Sequence, residues 1–143
     1  MSFSAAIIDT NVVVAGLLSA GKPLSPVARV PDGMLAAAFP FVLSEALLAE
    51  YRQVLLRQRI RALHGLGVRE IDDLLTELAA LAIVLAPVAT SPAPDPGDQL
   101  LWELLAARTD LILVTGDERL LRDKSMQTRV MSARTFVEGC WPA

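Results

Sequence analysis

The stretch Ala5-Ala6-Ile7-Ile8-Asp9-Thr10-Asn11 joins a short apolar run directly to three polar residues. The apolar run is too short for a helix and ends in β-branched side chains, so it predicts a buried strand that stops before Asp9. Thr10 and Asn11 are residue types that cap helices, and a helix is expected to begin there. The same arrangement of an apolar run followed by polar residues predicts a second buried strand in the stretch Leu111-Ile112-Leu113-Val114-Thr115-Gly116-Asp117.

Strand and helix patterns alternate along the rest of the chain. Glycine and proline punctuate residues 21–33 and 86–97, as is typical of turns and loops. Elsewhere the pattern predicts strands at 39–43, 83–85 and 128–131. It predicts helices at 45–58 and 71–82, a helix that begins within 95–98, and a last helix that begins at 132. This alternation indicates an α/β fold with a mainly parallel sheet.

The composition excludes several classes of protein. Of 143 residues, 53% are apolar and 20% are charged, which disfavours a disordered chain. The net charge of −3 disfavours binding of nucleic acid through the overall charge of the protein. The longest apolar stretches are interrupted by Pro40 and Pro87 and fall short of the ~20 residues that cross a bilayer. The first apolar run has no basic leader before it, so we expect no signal peptide. Cys140 is the only cysteine in the sequence and cannot form an internal disulfide, which is typical of a reducing cytosol. We expect one cytoplasmic domain spanning 1–143, with no membrane contact.

Acidic residues recur where the predicted strands end. Asp9 and Asp117 follow strands, Asp95 and Asp98 open a helix, and Glu50 borders the apolar stripe of another helix. All except Asp9 have an ordinary explanation as a helix cap or a rim residue. Asp9 follows a buried strand, so we expect its carboxylate to be partly buried and to be paired or bound to a metal. Together, however, they belong to elements whose ends should converge on the carboxyl edge of one sheet, where α/β proteins bind ligands.

Converging carboxylates indicate a particular chemistry. Without a cation they would repel one another, and a hard divalent cation such as Mg²⁺ removes that repulsion. Such an ion can activate water for attack on a phosphodiester. A structural zinc site is disfavoured, because the chain has one cysteine and one histidine, His64, which we interpret as a surface or RNA-facing residue.

Two other motifs resemble phosphate-handling sequences, of which we reject the first and leave the second open. The stretch from Gly16 to Lys22 nearly matches a phosphate-binding loop, but Pro23 replaces the hydroxyl residue that would bind metal. Asp9-Thr10-Asn11-Val12 is similar to the motif of haloacid-dehalogenase-type phosphatases, with Asn11 in place of the second acid. A phosphatase or phospho-acceptor using Asp9 therefore remains an alternative, as does a non-catalytic interaction module.

The chain resembles the PIN domain family, and specifically the VapC-like toxins of bacterial toxin–antitoxin pairs. The resemblance covers essentially the whole chain and rests on four motifs in order: 8–12, Ser44 with 47–51, 95–98, and 113–117 with 120–121. It implies a three-layer α/β/α fold with a mainly parallel central sheet, Mg²⁺- or Mn²⁺-dependent endoribonuclease activity on RNA, a homodimer or higher oligomer, and a small antitoxin partner.

The same resemblance implies the site residues. Catalytic and metal-binding roles would be carried by Asp9, Glu50, Asp98 and Asp117, with Asn11 and Thr115 in support and Asp95 as a possible further ligand. Glu45 is the alternative to Glu50 as the helix acid, although it lies further from the apolar stripe.

Basic residues cluster in two stretches. Residues 52–69 hold five arginines and no acid, and residues 119–134 form the second cluster. Phosphate contacts supply much of the affinity for nucleic acid, so these stretches favour RNA binding, although a solvated helix face or a docking site for an acidic antitoxin segment would have the same pattern. The predicted RNA contacts are Arg52, Arg57, Arg59 and Arg61.

Overall fold

The central feature of the fold is a five-stranded sheet. A computed structural model describes residues 3–22, 25–123 and 129–141. All strand pairs are parallel, and the strand order is β3-β2-β1-β4-β5. The strands are β1 (Ala5–Ile8), β2 (Phe41–Leu43), β3 (Ile83–Val84), β4 (Leu111–Val114) and β5 (Val130–Met131).

Helices flank this sheet in a three-layer α/β/α arrangement, which confirms the predicted fold class. Every residue of β1 and β4 is buried, as expected for central parallel strands covered on both faces. A 3₁₀ turn (Pro96–Asp98) precedes α6, and a π-helical turn (Phe136–Cys140) follows α8. The α-helices are α1 (Thr10–Leu18), α2 (Pro26–Leu35), α3 (Glu45–Leu55), α4 (Gln58–His64), α5 (Val68–Leu81), α6 (Gln99–Leu105), α7 (Glu118–Arg122) and α8 (Ala133–Thr135).

Strand register brings the two decisive stretches together. Ile8 pairs with Val114, so Asp9 and Thr115 leave the sheet side by side at its carboxyl edge. The Asp9 amide donates to the Val114 carbonyl over 2.9 Å, which continues the ladder one residue beyond the strand. Tyr51 fixes α3 to the same edge, because its buried hydroxyl donates to the Ile8 carbonyl over 2.5 Å.

Helix α2 differs from the expectation, because the glycines and prolines of residues 21–33 predict turns rather than a helix. Pro26 occupies the first helical turn, where a missing amide costs nothing, but Pro31 lies inside the helix and breaks its hydrogen bonding. Burial of Val30, Pro31 and Met34 against the core compensates for this loss. Tertiary packing here overrides the local preference of proline.

Several element boundaries also differ from the prediction. The helix predicted over 45–58 ends at Leu55, and α4 begins separately at Gln58. Strand β2 begins at Phe41 rather than at 39, and β3 ends at Val84 rather than at 85. The final strand covers Val130–Met131, while residue 128 lies outside the described residues.

His64, which the sequence indicates as a surface or RNA-facing residue, also has a structural role. Its Nδ1 accepts from the Leu66 amide over 2.9 Å, so its Nε2 carries the proton and faces the Leu55 carbonyl at 3.0 Å. The half-buried ring thereby joins the end of α3 to the turn after α4.

Among the described residues, no helix has both the length and the apolar character needed to cross a bilayer.

Candidate active site

Asp9 lies at the centre of the site and is only 6% exposed. Thr115 Oγ1 donates to Asp9 Oδ2 over 2.7 Å, and Asn11 Nδ2 approaches the same oxygen at 3.3 Å. Asn11 is itself oriented by the Gly116 amide, which donates to its Oδ1 over 3.1 Å. Two neighbouring strand ends therefore hold one carboxylate in a fixed orientation.

The pKa of Asp9 is raised from 3.8 to about 6. Burial is the main cause, and the negative charges of Asp98 and Glu50 add to it, while the hydrogen bond from Thr115 acts in the opposite direction. A buried carboxylate with acidic neighbours is an unstable arrangement unless a cation compensates for it.

Glu50 is the acid that α3 brings to Asp9. The Thr10 hydroxyl donates to Glu50 Oε2, and the two residues line one pocket with Asp9. Glu45, the alternative from the sequence, lies exposed at the first position of the helix and lines a groove between α3 and α5. The geometry thus favours Glu50 over Glu45 as the helix acid.

Asp98 completes the wall of this pocket, which we call the acid pocket and which has a volume of about 420 Å³. The pKa of Asp98 is raised, first by partial burial and then by the negative charges of Asp117, Asp95 and Glu50. The acids predicted to converge therefore do interact electrostatically across elements that are distant in sequence.

Asp117 and Asp95 are the other two acids whose charges act on Asp98. The Asp117 amide donates to Thr115 Oγ1 over 3.0 Å, and its carboxylate caps α7 by accepting from the Arg119 amide over 2.8 Å. Asp95 caps the 3₁₀ turn by accepting from the Gly97 amide over 2.8 Å. The capping roles considered for these two acids are therefore real, and they coexist with membership of the cluster.

Arg119 joins these two acids and was not among the residues predicted for the site. Its Nη1 lies 3.0 Å from Asp95 Oδ2, and its Nη2 lies 3.7 Å from Asp117 Oδ2. The sequence shows Arg119 only as part of a basic stretch, and nothing local connects it with an acid 24 positions earlier.

The donor set suits a hard divalent cation in type, because Mg²⁺ and Mn²⁺ prefer carboxylate oxygens. Among the described residues, however, no three Asp, Glu, His or Cys side chains are arranged to hold one ion together. The hydrogen bond from Thr10 to Glu50 and the ion pairs of Arg119 engage oxygens of these carboxylates. The Arg119 guanidinium is a cation already bound by two of the acids, so the acids suit a cation by charge and donor type.

The four predicted RNA contacts separate into different environments. Arg57 lines the acid pocket, whereas Arg52 pairs with Asp72 at 2.8 Å on the groove between α3 and α5. Arg59 and Arg61 lie exposed on α4. Arg57 is therefore the member of this set that the structure places beside the acids.

A second cleft adjoins the acid pocket. Asn11 lines both, and the cleft continues past Thr115 and Gly116 with a volume of about 480 Å³. Its walls combine apolar side chains with polar ones such as Ser132, and Arg134 adds a positive charge. The two clefts share Asn11 and Ala15 as lining residues, so they adjoin at the start of α1.

Comparison with known families identifies the class of protein. The PIN domain family matches residues 5–119, which include all the acids of the site. The chain therefore belongs to the PIN domain family, whose members are generally nucleases and generally use divalent metal ions. A comparison with curated proteins gave no significant match.

Proposed function

We propose that this protein is a Mg²⁺- or Mn²⁺-dependent endoribonuclease of the cytoplasm, and the toxin of a toxin–antitoxin pair. The observation that carries the nuclease proposal is the convergence of Asp9, Glu50, Asp98 and Asp117 at one sheet edge of a PIN domain. The RNA specificity and the toxin assignment come from the motif resemblance and are the parts that require direct tests.

Each polar residue has a role in this proposal. Asp9, Glu50, Asp98 and Asp117 would hold the ion, with Asp95 as a further candidate. A bound ion would supply a water nucleophile activated at neutral pH and would stabilise charge on the phosphodiester. Thr115 and Asn11 keep the Asp9 carboxylate in one orientation, which limits the entropy that the site loses when it binds a cation.

The substrate would lie along the two adjoining clefts. Arg57 on the wall of the acid pocket would contact a backbone phosphate, and the second cleft has room for a neighbouring nucleotide. Arg134 in that cleft adds positive charge. A net charge of −3 does not oppose RNA binding here, because acids that hold a cation do not repel the phosphate.

Cleavage of RNA by an Asp98→Asn variant tests the nuclease proposal. We expect wild type to cleave RNA with Mn²⁺ and not with EDTA, and Asp98→Asn to lose roughly 100-fold or more of that activity, the scale of losing an electrostatic stabiliser. Asp73→Asn, which changes an exposed acid on α5, is the matched control and should retain activity. Cleavage in EDTA, or full activity in Asp98→Asn, would contradict the proposal.

The toxin assignment predicts partners. Large apolar side chains are exposed at Leu63 (69%) and Val84 (65%), and we propose that such residues contact an antitoxin or a second copy of the chain in a homodimer or higher oligomer. A short reading frame directly upstream that encodes a small DNA-binding protein is the expected gene arrangement. Its absence would count against the toxin role but not against the nuclease chemistry.

A further inference from the structure

Arg119 is the cation that the structure places among the acids. It lies at the start of α7, with its side chain 60% exposed, and bridges Asp95 and Asp117. Asp117 holds it in a second way, by accepting from its backbone amide. The guanidinium therefore contacts two acids that come from different elements, the 3₁₀ turn and the N-terminus of α7.

The charge of Arg119 also reaches beyond its direct partners. It lowers the pKa of Asp98, against the raising effects of Asp117 and Asp95. Arg122, three residues later on the same helix, instead approaches the Glu118 carbonyl at 3.3 Å. The two arginines thus provide a natural comparison of the same residue type inside and outside the cluster.

A divalent ion and the guanidinium compete for the same carboxylates, those of Asp95 and Asp117. An ion that binds Asp117 would lie close to the guanidinium, whose positive charge would repel it. Exposed ion pairs are weak, so a metal can displace this one, but at a cost in apparent affinity.

We propose that Arg119 is a built-in competitor of the divalent cation. It neutralises Asp95 and Asp117 in the metal-free protein and sets a lower metal affinity than the acids alone would have. This inference rests on the proposed function, because it assumes that the same acids bind metal. Its consequence is that the site fills over a higher range of metal concentration than in a protein without this arginine.

Calorimetric titration with Mn²⁺ tests the competition without reference to activity. We expect Arg119→Gln to lower the Kd for Mn²⁺ about 3- to 10-fold, and Arg122→Gln to leave it unchanged. Arg119→Lys should give an intermediate Kd, because a point charge cannot pair with both acids as the planar guanidinium does. If Arg119→Gln folds poorly, the Kd of Arg119→Lys alone tests the competition.

Thermal unfolding without metal provides a second measurement. Arg119→Gln should unfold at a lower temperature than Arg122→Gln at pH 7.5, because the acids then repel one another without compensation.

Equal or weaker Mn²⁺ binding in both Arg119→Gln and Arg119→Lys, with normal binding in wild type, would overturn this inference alone. Absence of Mn²⁺ binding in wild type would instead overturn the proposed function, and this inference with it.

Discussion

Asp9→Asn is expected to abolish RNA cleavage and at the same time to stabilise the fold at pH 7.5. Asp9 is 6% exposed, and its pKa is raised from 3.8 to about 6. A shift of this size means that the ionised side chain costs about 3 kcal/mol of folding free energy at neutral pH. Asparagine removes the charge but keeps an oxygen that can accept from Thr115.

The pH dependence gives this prediction a definite sign. Because the pKa of Asp9 is higher in the folded state, wild-type stability should rise as the pH falls from about 7 through 6 towards 4. Asp9→Asn lacks this gain. Urea unfolding in EDTA should show the variant about 1–3 kcal/mol more stable at pH 7.5, with the difference shrinking as the pH falls through about 6 and vanishing only below the unfolded-state pKa of 3.8.

The matched control for both effects is Asp73→Asn, an exposed acid on α5 that should change neither cleavage nor stability. If Asp9→Asn were less stable than wild type at pH 7.5, the carboxylate would be a structural group rather than a strained ligand. If it kept cleavage activity, Asp9 would not belong to the catalytic site.

Gly16→Ala is expected to cause a large loss of stability, although this glycine lies outside the site. A Cβ at Gly16 would lie 2.5 Å from the Val27 carbonyl oxygen and 2.6 Å from two ring atoms of Pro31. Helices α1 and α2 would have to separate, at a cost of about 2–3 kcal/mol, the upper part of the range for overpacking. Cleavage activity should fall as well, because α1 carries Thr10 and Asn11.

Gly139→Ala is the control, because a Cβ there meets nothing within 4 Å. Urea unfolding should show a change of no more than about 0.5 kcal/mol for this variant. Similar losses in the two variants would contradict the packing explanation. The prediction also gives Gly16 a role that its phosphate-loop-like surroundings do not indicate, since this glycine permits close helix packing.

Local patterns in the sequence were sufficient to predict the central strands and the acids that follow them. Strands β1 and β4 are short, apolar and bounded by polar residues, and burial on both faces leaves few other interpretations. The position of Glu50 beside the apolar stripe likewise favoured it over Glu45, and the structure places Glu50 beside the acid pocket.

Features that depend on contacts between distant segments could not be predicted in this way. Pro31 argues locally against α2, and only its burial in the folded chain explains the helix. The contact between Arg119 and Asp95 requires the loop before α6 to meet the start of α7. His64 similarly has no sequence pattern that distinguishes its hydrogen bonds from an exposed position.

The measurement that tests the central claim most directly is a calorimetric titration of the metal-free protein with Mn²⁺. The claim is that the acids converging on the edge between β1 and β4 form a divalent-metal site. We expect saturable binding to wild type and to Asp73→Asn, and a loss of at least about tenfold in affinity in Asp9→Asn and Asp98→Asn. No saturable binding to wild type, or equal affinity in all four proteins, would contradict it.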